Sequence, residues 1–81
     1  MMKKMLLFIM EDFGITLAIH GQQIPATVHE RVEGETTHYD ITTDDFSISI
    51  YKDTLYTWAA NDDGGFSADD IQSFGEQINL G

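Results

Sequence analysis

Eighty-one residues without a cysteine leave room for a single domain, 1–81, and exclude disulfide-stapled scaffolds and thiolate metal centres. Fourteen acidic residues against four basic ones give a net charge of −10. Such a field repels nucleic acid and anionic membrane and favours basic partners or cations.

The chain opens on MMKKMLLFIMED, two lysines and then six apolar residues, Met5 to Met10. A secretory leader needs ~7–15 apolar residues with a small-residue cleavage site, and a membrane span needs ~20. The run therefore reads as a first buried strand or a short helix, and residues 1–9 are dispensable if translation starts at Met10. A cytoplasmic protein is expected.

From Gly14 the chain alternates in period two, the mark of a half-buried strand. Ile15, Leu17 and Ile19 share one face, and Thr16, Ala18 and His20 the other. Gly21 and Gln22 read as a turn, and Ile24, Ala26, Val28 and Val32 continue the alternation. Pro25 has no amide to give a ladder, so it belongs at an edge or margin of the sheet. After a turn at Glu33-Gly34-Glu35, Tyr39 and Ile41 share a face with Phe46, Ile48 and Ile50, and Asp44-Asp45 separates the two runs.

A hairpin about Asp44-Asp45 pairs Ile41 with Ile48, Tyr39 with Ile50, Thr42 with Ser47 and Asp40 with Ser49. A slip by one residue would scramble both faces. The preceding hairpin pairs Val28 with Ile41, Glu30 with Tyr39, His29 with Asp40 and Arg31 with His38. The last hairpin has two registers. A two-residue turn at Lys52-Asp53 turns Tyr56 and Trp58 outward beside Tyr51, giving an aromatic interaction surface. A three-residue turn including Thr54 buries Tyr56 and Trp58 opposite Ile50 and Ile48. The second is preferred, because an indole buries more apolar area than a threonine.

NDDGGFSADDIQSF, residues 61–74, imitates a calcium loop. With Gly64 or Gly65 at the sixth position of an EF-hand, Ala59 or Ala60 falls where the first aspartate belongs, and both alignments fail. A helix start explains the stretch better. Ser67 is an N-cap with Asp70 three residues on, and Phe66 precedes the cap as a staple toward Ile71. Ile71, Phe74 and Ile78 form an apolar stripe at helical spacing. Gly75 weakens the helix interior by ~1 kcal/mol relative to alanine, a cost that close helix-to-sheet contact would justify. Asn79 or Gly81 ends the helix. The expected fold is α+β: an antiparallel β-meander of about five strands, six if the N-terminal segment joins, with one C-terminal α-helix packed on one face.

Few residues suggest chemistry. His29, His38 and Asp40 project from one face as a two-histidine, one-carboxylate set with the right donors for a metal, but Arg31 stands opposite His38 and would repel a cation. No Gly-x-Ser-x-Gly elbow exists, and the paired aspartates sit in exposed loops where nothing separates their pKa values. No catalytic residue and no cofactor are expected. The reading is a non-catalytic protein-interaction module, its partner another protein or a second copy of itself, with no direct nucleic-acid or membrane binding. Tyr51, Tyr56 and Trp58 form the candidate surface. The alternatives are a nucleic-acid mimic that inhibits a DNA-binding protein and a small metal-binding protein.

The succession GITLAIHGQQIPATV, THYDI, FSISI, a strand ending at Trp58 and the helical FGEQI resembles small uncharacterised bacterial proteins. Over residues 14–78 the resemblance implies a meander followed by one helix, and no activity.

Overall fold

The computed structural model describes residues 12–80. Five antiparallel strands follow in chain order: β1 (Phe13–Ile19), β2 (Gln22–Glu33), β3 (Thr36–Thr42), β4 (Ser47–Lys52) and β5 (Trp58–Ala59). One helix, α1 (Ala68–Leu80), closes the chain. The meander-plus-helix architecture is the expected one. The proposed sixth strand from Met5–Met10 lies outside the described residues.

Alternation sorts the sheet into two faces. Leu17, Ala26, Val28, Ile41, Ile48, Ile50 and Trp58 are buried on one, beneath Ile71, Phe74 and Ile78 of α1. The other face carries Thr16, Thr27, His29, Arg31, His38, Asp40 and Ser49, and no element of the described chain covers it. The β2–β3 and β3–β4 registers agree with those read from the sequence: Val28 opposes Ile41, and Ile41 opposes Ile48.

The first turn is displaced by one residue from its expected position. Ile19 pairs with Gln22, so the turn is His20-Gly21, with φ of 49° and 83°. Two positive φ angles are what a twisted two-residue hairpin demands.

Pro25 sits inside β2, at a place that costs no ladder bond. The backbone of Ala18 turns outward, away from β2, to α1. Thr16, two residues away, must turn outward too, so Thr16 and Pro25 form a non-hydrogen-bonded pair. The missing amide therefore faces the other side of β2, where β3 joins only from Thr27.

Two glutamines fix the helix to the sheet edges. Gln77 accepts from the Ala18 amide at 2.8 Å and donates to the Ala18 carbonyl at 3.0 Å. Gln72 accepts from the Trp58 amide and donates to the Tyr56 carbonyl, both at 2.9 Å. Five residues apart, the two side chains leave the helix about 140° from each other. Both outer strands are thus held to opposite flanks of one helix.

The helix start is built as the sequence implied. Ser67 Oγ accepts from the Asp70 amide at 3.1 Å, and Asp70 accepts from the Ser67 amide at 3.4 Å. Phe66 stacks edge-on against Phe74 and Phe46, with ring centroids at 5.0 and 4.9 Å.

Candidate interaction surface

The β4–β5 connection takes neither register read from the sequence. Tyr51 pairs with Ala59 and Lys52 with Trp58, leaving a five-residue loop, Asp53–Thr57. The sequence-based registers fail here because β5 contributes only two residues, too few for alternation to choose between them. The three aromatic candidates separate accordingly. Trp58 is buried against α1, Tyr51 is half-buried on the open face, and Tyr56 is 80% exposed. Trp58 is therefore core, held edge-on by Tyr39 at 5.5 Å, with the Lys52 ammonium over its ring.

Leu55, which the two-residue-turn register would have buried in the core, is 71% exposed beside Tyr56. Their loop is well tethered. The Asp53 amide donates to the Thr57 carbonyl at 2.7 Å, the Tyr56 amide donates to Thr54 Oγ1, and Gln72 holds the Tyr56 carbonyl from the helix. An aliphatic and an aromatic side chain thus stand in water on a hydrogen-bonded frame. Such side chains, presented at little further entropic cost, serve as anchors of protein interfaces. In the sequence Leu55 stands between Thr54 and Tyr56, in a run that alternation assigns to a strand.

The open face holds a polar network. Arg31 donates through Nε and Nη2 to both carboxylate oxygens of Asp40, at 3.0 and 3.1 Å, and reaches Glu33 with its remaining nitrogen at 2.6 Å. Ser49 donates to the same Asp40. The Arg31 fork, opposed by partial burial and aided by Ser49, holds the Asp40 carboxyl below the usual carboxylate range. Asp40 in turn raises the Arg31 guanidinium. His38 lies 3.6 Å from Glu33 and packs on the Tyr51 ring, while His29 meets Asp12.

His29, His38 and Asp40 therefore share a face but have separate partners. Among the described residues no three histidine or acidic side chains are placed to hold one metal ion. In the opening loop of the helix, Asp62 and Asp63 accept from the amides of Gly64 and Gly65 at 3.0 and 2.9 Å. Their carboxylates build the turn. The Phe46–Phe66 contact brings this loop and the Asp44-Asp45 turn to the same end of the molecule. Among the described residues no helix is long and apolar enough to cross a membrane.

No family model, no curated protein and no solved structure matches the chain.

Proposed function

We propose that the protein is a non-catalytic interaction module that docks a protein partner through the Asp53–Thr57 loop, with Leu55 and Tyr56 as the apolar anchor and Tyr51 beside it at the edge of the open face. The observation that carries this reading is that Leu55 and Tyr56 are exposed on a loop whose backbone is hydrogen-bonded internally and to the helix. Solvent-exposed aromatics are common on flexible loops, but here the backbone beneath them is bonded at both ends and to the helix. The meander-plus-helix fold brings no activity with it, so the reading rests on this surface. It places the protein in the cytoplasm, as a cysteine-free acidic domain whose partner is another protein or a second copy of the chain.

A second reading has its own support. The Asp44-Asp45 turn and the Asp62-Asp63 loop meet at one end of the fold, and a basic protein surface that normally receives phosphates would be attracted there. This is the nucleic-acid mimic in its structural form. The metal-binding reading has no comparable geometric support.

Quantitative capture on immobilised protein separates the two. Wild type, a Leu55→Ser/Tyr56→Ser double variant and an Asp62→Asn/Asp63→Asn double variant are compared at low and high salt. Partners retained at high salt by wild type and lost from the loop variant are the expected result. Partners that elute with salt and are lost only from the aspartate variant would transfer the function to the acidic end.

A further inference from the structure

We propose that the partner docked on the Asp53–Thr57 loop carries a basic side chain, arginine or lysine, that enters the adjoining groove on the core side of the sheet and pairs with Glu30. The inference rests on the loop reading and names the chemistry of its partner. On the core side of β2 the apolar set Ile24, Ala26, Val28 and Val32 is interrupted between Val28 and Val32 by Glu30. Glu30 opposes Tyr39 and is half-buried. It stands in a groove of about 460 Å³ whose apolar walls are Phe13, Ile15 and Ile78. Burial, and after it the charge of Glu30, raises the Tyr39 hydroxyl above its ordinary value. A carboxylate drawn out of water toward apolar walls is stabilised when a cation meets it. Among the described residues no basic side chain pairs with Glu30. Of the basic residues described, Arg31 is engaged by Asp40 and Glu33 on the opposite face, and Lys52 lies over the Trp58 ring.

Geometry and charge name the occupant. The groove runs past Tyr39 to a second lobe lined by Glu35, Lys52 and Trp58, and the last two residues flank the loop on either side. A segment seated on Leu55 and Tyr56 therefore continues into the groove without leaving the surface. Three strand spacings of ~4.8 Å, about 14 Å in all, separate β5 from β2. About four extended residues cover that distance. Lys52 shares its lobe with Glu35 and would repel a second cation there, so the charge is received in the lobe of Glu30. The stem of an arginine or lysine lies along Ile15 and Ile78 while its head reaches the carboxylate. A second copy of the chain is a poor source of this group, because its described cations are engaged in the same way and its body repeats the charge of −10.

The probe is n-butylguanidinium, an arginine head on a short apolar stem, with uncharged n-butylurea as its control. Amide shifts are followed in the nitrogen-15-labelled full chain at constant ionic strength. The guanidinium should move Ile15, Glu30, Tyr39 and Ile78 saturably, and butylurea should not. Glu30→Gln should weaken the probe about five-fold, the upper end for a partly exposed ion pair. Glu35→Gln and Leu55→Ser/Tyr56→Ser should bind it as wild type does. Partners that the loop variant loses should bind Glu30→Gln about five-fold more weakly as well. Shifts spread evenly over the acidic residues, no shift at the groove, or equal binding by Glu30→Gln would overturn the proposal. If the loop variant loses its partners while Glu30→Gln holds them at full affinity, the loop reading stands and the cation falls. If the loop variant keeps every partner, the loop reading fails, and with it the assignment of this cation to the loop's partner.

Discussion

Gly75 of the helix lies directly against the indole of Trp58: a Cβ on the glycine would stand 2.0 Å from both Cγ and Cδ2 of the ring. No real side chain tolerates that distance, so the helix and the sheet are as close as they are because position 75 has no side chain. Replacing Gly75 by alanine pits two effects against each other. Helix propensity gains ~1 kcal/mol, while overpacking a closed core costs typically about 1–3 kcal/mol. The clash is with the body of a buried ring, so the cost should win and Gly75→Ala should be net destabilising. Urea unfolding followed by the fluorescence of Trp58, the sole tryptophan, measures it. A stabilised variant would mean that the helix stands farther from the sheet.

The Ser67–Asp70 pair closes the helix start reciprocally. Ser67→Ala removes the acceptor for the Asp70 amide and should cost about 1 kcal/mol, within the range of measured N-cap losses. Ser67→Asp restores an acceptor and should recover most of it. Chemical denaturation of the three proteins at neutral pH is sufficient, and equal midpoints for wild type and Ser67→Ala would remove the cap from the account.

Much of this structure was legible because two independent patterns agreed. In the β3–β4 hairpin the apolar pairs Ile41–Ile48 and Tyr39–Ile50 and the polar pairs Thr42–Ser47 and Asp40–Ser49 select the same register. At β5 only Trp58 and Ala59 join the sheet, and what fixes them is Gln72, fourteen residues further on. A glutamine on a helix reads as a solvated residue. Its bond to a distant backbone is a tertiary fact that no local pattern carries. The same holds for Gln77 on Ala18 and for the exposure of Leu55, which follows from the five-residue loop. The Ser67 cap and the Gly75 contact were legible because each rests on a local rule with one physical cause.

Acid should weaken the fold in a way that can be assigned. Arg31 holds the Asp40 carboxyl below its ordinary range. Asp70 is lowered as well: burial pushes it up, but the bond with His20 at 3.0 Å and the Ser67 amide outweigh it. A carboxyl whose folded value lies below its unfolded value, about 3.9, stabilises fully above that pH. The contribution disappears as pH falls through the folded value. Asp40→Asn should therefore be less stable than wild type at neutral pH, with the gap closing as pH falls below the unfolded carboxyl value. Urea midpoints measured across that interval test the sign. A gap that stays constant or widens in acid would show that Asp40 acts through packing instead of charge.

Gln77 should protect the outer edge of β1. Edge strands offer unpaired amides and carbonyls to other chains, and proteins cover or interrupt them to avoid association. Here the Ala18 amide and carbonyl are both taken by one side chain, which Ser73 supports by accepting from Gln77 Nε2 at 3.0 Å. Gln77→Ala removes two bonds, each worth about 0.5–1.5 kcal/mol net. It also returns the Ala18 groups to the edge. The variant should unfold earlier, exchange the Ala18 amide hydrogen faster, and self-associate more at high concentration by light scattering. Gln77→Glu keeps an acceptor for the amide and loses the donor to the carbonyl, so its Ala18 exchange should fall between the two. If Ala18 exchanges equally slowly in all three proteins, the edge is held by β2 alone and the clamp is incidental.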